Sequence, residues 1–357
     1  MGPIGFLLLC LCVPVLPVQF CTTTGSWTVC QGELMAFPED IPTSVTNLNV
    51  SNNRLSSLEQ NTLIKFVNIK KLNISRNLIT NIHNKAFFRL TDLELLDLSF
   101  NNLIEISDKI IFNNVKLKWF SIAHNKNLKY IPHLQSKSLQ RFNVSSCGIQ
   151  EMNETTFQEV ESIEILDLSF NEIKEIRDHT FDALTMLCEL DVSNNELQSA
   201  QFINSDCSLS LTYLDISSNN ISVLDWITFQ TLLSLKKIHF HNNPWRCDER
   251  MKYVYENMLN NETTLNLQCV SASDNKKISW HEWYHSVNKV SSCPVNFVTD
   301  SPTTCSTSII NKCPKVSCSC DSSWVVFYVI AAIICLLNIV FMIVIFRKNT
   351  SSRNNSQ

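Results

Sequence analysis

Apolar residues recur along this chain at a fixed spacing. Val45, Leu48, Val50 and Leu55 bracket Asn53, and the same set returns as Ile69, Leu72, Ile74 and Ile79 around Asn77. It returns again from Leu93 around Asn101, from Leu117 around Asn125, and from Leu139 around Cys147, which stands in the asparagine position. Four more copies start at Ile163, Leu187, Leu211 and Leu235, around Asn171, Asn195, Asn219 and Asn243. Written L-x-x-L-x-L-x-x-N-x-L, the pattern occurs nine times at steps of 24 residues, with one 22-residue step from Leu117 to Leu139. A fixed period of this length predicts a solenoid. The alternating L-x-L predicts a short strand with one buried face, stacked in parallel on the strands of neighbouring turns to line a concave side. The asparagine stands where the chain bends away from the strand, and its amide can satisfy the backbone groups that the bend leaves unpaired. A second apolar set, Phe87, Phe157, Phe181 and Phe229, fills the convex side. Each turn covers only its neighbours, so both ends need caps.

Two further apolar stretches frame the repeats. The first, within residues 3–18, is short and N-terminal and reads as a signal peptide over 1–20, cleaved just before Cys21; an uncleaved anchor is the alternative. The second, 324–346, is 23 residues long with no charge. At about 1.5 Å per residue it reaches roughly 34 Å, enough for a ~30 Å hydrocarbon core. Arg347, Lys348 and Arg353 follow it, which predicts a single-pass plasma-membrane protein with its N-terminus outside. The expected tail, 347–357, has no room for a signalling domain, so a separate membrane signalling partner is expected. Residues 294–323 are rich in Ser, Thr and Pro and read as a stalk.

Composition narrows the function. Twenty-nine basic residues against 33 acidic ones give no support for a nucleic-acid partner. Five glycines argue against a glycine-rich phosphate loop, and no cofactor is expected. Fifteen cysteines suit an oxidising compartment.

The repeats lie between cysteine-bearing segments: Cys21 and Cys30 with Phe37-Pro38 and Ile41-Pro42 before them, and Asn243-Pro244-Trp245-Arg246-Cys247 with Cys269 and Cys293 after. From Cys21 to Cys293 the chain resembles extracellular leucine-rich-repeat receptors, Toll-like-receptor ectodomains and insect transmembrane leucine-rich-repeat proteins above all. The resemblance implies an α/β solenoid, a leucine-rich-repeat horseshoe with a parallel concave sheet, an N-terminal cap at 21–44, repeats over 45–243, a C-terminal cap at 244–293 and one transmembrane helix. It also implies bonds Cys21–Cys30 and Cys247–Cys269. The chain departs from the family in having Cys247-Asp248-Glu249 where C-x-C is usual, and in lacking a Toll/interleukin-receptor domain. Cys188 and Cys207 lie in consecutive turns and could bridge. Cys147 reads as a buried free thiol. Cys293, Cys305, Cys313, Cys318 and Cys320 remain, an odd number, which leaves open a disulfide-linked homodimer or one unpaired thiol.

A ligand is expected on the concave face. Asn49, Asn73 and Asn143, at the middle of L-x-L, open N-x-S/T sequons, as do Asn153, Asn220 and Asn261 elsewhere. Sugar on the first three would leave the later repeats bare. There Asp167, Asp191 and Asp215 stack at about 4.8 Å, where like charges repel by about 0.9 kcal/mol in water-like dielectric. Glu189 adds charge, and Ile165, Phe170 and Tyr213 add apolar contact. Trp119 is a candidate anchor. His281-Glu282-Trp283-Tyr284-His285 matches the zinc-hydrolase pattern H-E-x-x-H but sits inside a small cap with no third ligand in range. His239 and His241 read as a capping surface. No catalytic or metal residue is therefore assigned. The expected function is binding of an extracellular protein or other macromolecule, as an immune receptor, co-receptor or decoy, or alternatively as an adhesion or guidance protein.

Overall fold

The computed structural model describes residues 20–39, 41–204, 211–224, 228, 231–232, 235–258, 267–271 and 275–291, all within the unit Met1–Cys293. The expected signal peptide, stalk, membrane span and tail lie outside these residues, as do Cys207, Phe229, Asn261 and Cys293. Among the described residues no helix is long and apolar enough to cross a membrane.

An 11-stranded sheet runs through the described chain. It begins with an antiparallel hairpin, β1 (Phe20–Thr24) and β2 (Trp27–Gln31), in which Cys21 faces Cys30 and is bonded to it. β2 then pairs in parallel with β3 (Asn47–Asn49), so the cap is also the first strand of the solenoid's sheet. The remaining repeat strands are β5 (Lys71–Asn73), β7 (Leu95–Asp97), β8 (Trp119–Ser121), β9 (Arg141–Asn143), β10 (Ile165–Asp167), β11 (Glu189–Asp191), β12 (Tyr213–Asp215) and β13 (Lys237–His239). Two residue pairs, β4 (Ser57–Leu58) and β6 (Asn81–Ile82), form a small second sheet.

The strands keep strict register. Leu48, Leu72, Leu96, Phe120, Phe142, Leu166, Leu190, Leu214 and Ile238 are successive partners, all buried. Phe120 opposite Phe142 shows that the 22-residue repeat loses its two residues from the convex return and not from the strand. On the convex side Phe87, Phe157 and Phe181 are buried, with rings of Phe157 and Phe181 5.7 Å apart and Phe202 5.9 Å further on.

The asparagine column works as the bend requires. Asn77 donates from Nδ2 to the carbonyls of Val50 and Ile74, both at 3.0 Å, and accepts the Leu55 N–H at 3.1 Å. The same network recurs at Asn53, Asn101, Asn125, Asn171, Asn195, Asn219 and Asn243. Each amide thus ties one turn to the one before it. Cys147 interrupts the column. Its thiol reaches the carbonyls of Ile122 at 3.4 Å and Ser145 at 3.6 Å, and burial pushes its pKa up to about 11. Gly148 beside it permits a close crossing, since a Cβ there would lie 2.7 Å from the Lys126 carbonyl.

The C-terminal cap consists of α1 (Glu249–Met258), the hairpin β14 (Gln268–Val270) and β15 (Lys277–Ser279), and α2 (Trp280–Ser291). Cys247 is bonded to Cys269. Trp245 and Trp280 close the core, and Trp245 Nε1 donates to the Phe240 carbonyl at 2.9 Å.

Candidate functional site

The parallel register brings the expected concave residues into two rows. The first runs Leu95, Trp119, Arg141, Ile165, Glu189, Tyr213, Lys237. The second runs Asp97, Ser121, Asn143, Asp167, Asp191, Asp215, His239. Trp119 is half-buried and joins the later patch through Arg141, which lies between it and Ile165. Arg141 and Lys237 thus bracket the acidic stretch, a feature the sequence reading missed. Lys237 Nζ lies 5.1 Å from the centre of the Tyr213 ring, and His239 stands 5.7 Å from the same ring. The face is an alternation of charge and ring, not a uniformly acidic surface.

The second row also has a structural duty. Oδ1 of Asn49, Asn73, Asp97, Asn143, Asp167, Asp191 and Asp215 accepts the backbone N–H two residues on, from Ser51, Ser75, Ser99, Ser145, Ser169, Ser193 and Ser217, at 2.8–3.0 Å. This Asx turn carries the chain off the strand. At Asn73, Asn143, Asp167 and Asp215 the serine hydroxyl binds the same oxygen. The N-x-S spelling of three concave sequons therefore arises from folding chemistry whether or not sugar is attached. Asn153 and Asn220 are exposed.

Burial raises the carboxyl pKa of Asp191 against the lowering effect of its bonds to Ser193, and the neighbouring Asp167 and Asp215 raise it further. Tyr213 is pushed up to about 12, first by burial and then by Asp215 and Asp191, so its phenol stays protonated. Glu189 is exposed, whereas Ile165 is half-buried.

Phe170 does not share the strand rows. It sits just before the ladder Asn171, at φ 55°, and is 58% exposed. Every repeat places a left-handed residue there: Asn52, Arg76, Phe100, His124, Ser146, Phe170, Asn194, Ser218 and Asn242. The asparagines, and to a lesser degree His124, tolerate this region more readily than the others. The column contains a stack the sequence reading missed. Arg76 lies 4.2 Å from the centre of Phe100, and Phe100 stacks on His124 at 3.9 Å. Burial, then Lys126 and Arg76, lower the His124 pKa, so the imidazole is neutral at physiological pH. A signal was present: Leu-Asp-Leu-Ser-Phe-Asn occurs twice, at 96–101 and 166–171.

Cys188 carries a free, half-exposed thiol. The H-E-x-x-H segment lies on α2, with His281 and His285 exposed and their Nε2 atoms 3.0 Å apart. Glu282 serves as a helix cap. Its Oε2 accepts the Ser279 N–H at 3.3 Å, while Ser279 Oγ accepts the Glu282 N–H at 3.1 Å, a reciprocal capping box. Among the described residues no group of three His, Cys, Asp or Glu could hold a metal.

The family profile "Leucine rich repeat" matches residues 43–103 and 137–197, and a second profile, "Leucine Rich Repeat", matches 210–232. No curated protein matches the chain. Among solved structures, human 5T4 (Wnt-activated inhibitory factor 1, trophoblast glycoprotein) is 20% identical at a TM-score of 0.56, covering 76% of this chain and 97% of its own. A complex of latrophilin 3, Unc5D and the leucine-rich-repeat protein FLRT2 matches at 21% and 0.54, covering 73% of this chain and 96% of its own. A TLR13–ssRNA13 complex matches at 24% and 0.53, covering 57% of this chain and 30% of that one, so this chain spans less than a third of its length. Repeat pattern, stacked parallel strands, cystine caps and these likenesses together show that the chain carries a leucine-rich-repeat solenoid, the fold that these solved structures share.

Proposed function

We propose that the protein is a cell-surface receptor or co-receptor that binds a protein ligand along the concave row from Trp119 to Lys237. The observation that carries this reading is the row itself. Two aromatic side chains, Trp119 and Tyr213, alternate with Arg141, Glu189 and Lys237 on adjacent parallel strands. Aromatic and arginine side chains on a rigid sheet suit a binding hot spot, because little side-chain freedom is lost on contact. Mixed charge favours a protein surface over a polyanion such as nucleic acid. Sugar on Asn49 and Asn73 would screen the first two repeats, and sugar on Asn143, two residues from Arg141 on the same strand, would direct ligands to the stretch from Ile165 to Lys237.

A role in cell adhesion or guidance is a second reading, favoured by length. The chain pairs with nearly the whole of 5T4 and of FLRT2, the latter solved with latrophilin 3 and Unc5D, whereas it spans only part of the TLR13 chain solved with single-stranded RNA.

Proximity labelling on cells expressing the wild-type chain, beside a Glu189→Lys, Tyr213→Ala variant, tests the site. Partners labelled by the wild type and lost in the variant, at equal surface levels, are expected. An unchanged set of partners would remove the concave row from consideration. The tissue and cell type of those partners separate an immune role from adhesion.

A further inference from the structure

The capping role of Glu282 accounts for one residue of the H-E-x-x-H segment and leaves its two histidines without a task. His281 and His285 stand four residues apart on α2, so they lie on one face of the helix, one turn apart. Both are exposed. The helix that presents them is anchored independently of them. Trp280 and Trp283 are buried, Tyr284 packs on Tyr255 with ring centres 4.8 Å apart, and the Ser279–Glu282 capping box fixes the first turn.

The two imidazoles converge. Their Nε2 atoms are 3.0 Å apart while their ring centres are 4.2 Å apart, so the nitrogens lean toward one shared space. A first-row divalent ion at about 2.05 Å from both nitrogens would hold them at an angle of about 94°. That angle suits neighbouring ligands of a square-planar or tetragonal ion, whereas a tetrahedral ion would need the nitrogens about 3.3 Å apart. Copper(II) prefers the first geometry and also heads the affinity order for nitrogen ligands. A direct hydrogen bond between the rings is the other use of this contact, but on an exposed surface water competes with it and it stabilises little. Glu282 Oε2 is taken by the Ser279 N–H, so the pair lacks the general base of a hydrolase.

We propose that His281 and His285 form a two-ligand site for one copper(II) ion on the C-terminal cap, with both Nε2 atoms as equatorial donors and water in the remaining positions. Each ring then carries its proton on Nδ1 and gives its Nε2 lone pair to the ion. The hydrogen bond between the rings is exchanged for two coordinate bonds. No third protein ligand is required, because the ion completes its coordination with water. The site binds and does not catalyse, and it is independent of the concave row.

The test titrates copper(II) into the full-length protein in detergent, with glycine as a competing chelator that strips single-ligand sites. Quenching of tryptophan fluorescence reports binding, since Trp280 and Trp283 share the helix with the histidines. Electron paramagnetic resonance counts the coordinated nitrogens. One ion per chain with two equatorial imidazole nitrogens is expected. His281→Ala and His285→Ala should each weaken binding by roughly 10-fold or more, because each turns a chelate into a single ligand. His285→Ala combined with Ser286→His keeps the number of histidines but sets them five apart, and should bind no better than His285→Ala alone. All three side chains are exposed, so the cap stays folded. A loss of only about twofold in each single variant, as independent histidines would give, would overturn the proposal. So would a single coordinated nitrogen in the wild type, or full binding by the variant carrying Ser286→His.

Discussion

The ladder asparagines are not equivalent, and the difference can be measured. Within the column each strand-end carbonyl normally receives two amide donors. Ile74 O, for example, accepts from both Asn77 and Asn101, and Val50 O from Asn53 and Asn77. Val144 O is different. Cys147 stands where the first donor belongs and turns its thiol to Ile122 and Ser145, so Asn171 is the ladder's sole donor to Val144, at 3.0 Å. Asn171→Ala therefore strands both Val144 O and the Ile149 N–H that Oδ1 accepts at 3.1 Å. Asn77→Ala strands only the Leu55 N–H, because Val50 and Ile74 keep their second donors. At about 2 kcal/mol per stranded buried group, Asn171→Ala costs roughly 4 kcal/mol and Asn77→Ala roughly 2. Denaturant unfolding of the two variants gives the comparison. An Asn77→Ala cost equal to or greater than that of Asn171→Ala would refute the accounting of donors.

Asp191 gives a pH test. Its carboxyl pKa is raised in the fold, so the protonated form is favoured there, and its contribution is fully present below the ordinary value near 3.8 and is lost as pH rises through the folded value. Asp191→Asn, made in a host without N-glycosylation, keeps the Asx turn that Asn49, Asn73 and Asn143 make naturally; its stability relative to wild type should rise as pH increases above about 3.8, and parallel curves would contradict the burial of this carboxylate. Phe170→Asn relieves a left-handed phenylalanine whose ring is more than half exposed and should raise stability by about 1 kcal/mol in thermal unfolding; a loss of stability would show that the ring packs. Iodoacetamide near pH 8 should label Cys188 and leave Cys147 unmodified, as read by peptide mass spectrometry; labelling of Cys147 in the native protein, or protection of Cys188 by a bridge, would contradict the thiol environments described.

The solenoid was legible because its cause is local and repeated. One buried apolar row and one asparagine per turn determine strand, register and bend, and the sequence prints the row nine times and the asparagine eight. The concave rows followed from register alone, as far as Ile165, Glu189, Tyr213 and the aspartates. What stayed hidden depends on side-chain reach and on irregularity. Arg141 joins Trp119 to the rest only once the short fourth repeat is seen to preserve strand pairing. The Arg76–Phe100–His124 stack needs the left-handed turn that lines up residues 24 apart. The aspartate column read as pure charge, while half of each carboxylate is a turn acceptor. Glu282 matched a metalloprotease signature by letter and proved to be a helix cap.

The most direct test of the concave row is a sugar wedge. Because Ser193 follows two residues on, Asp191→Asn expressed in mammalian cells creates an N-x-S sequon on the same strand as Glu189, beside the Trp119–Lys237 row, without disturbing the turn. Adding Ser193→Ala removes the sequon and serves as the unglycosylated control. Capture of cell-surface partners should be abolished by the glycosylated variant and retained by the control. Full capture by a variant shown by mass to carry the glycan would contradict binding at the concave face.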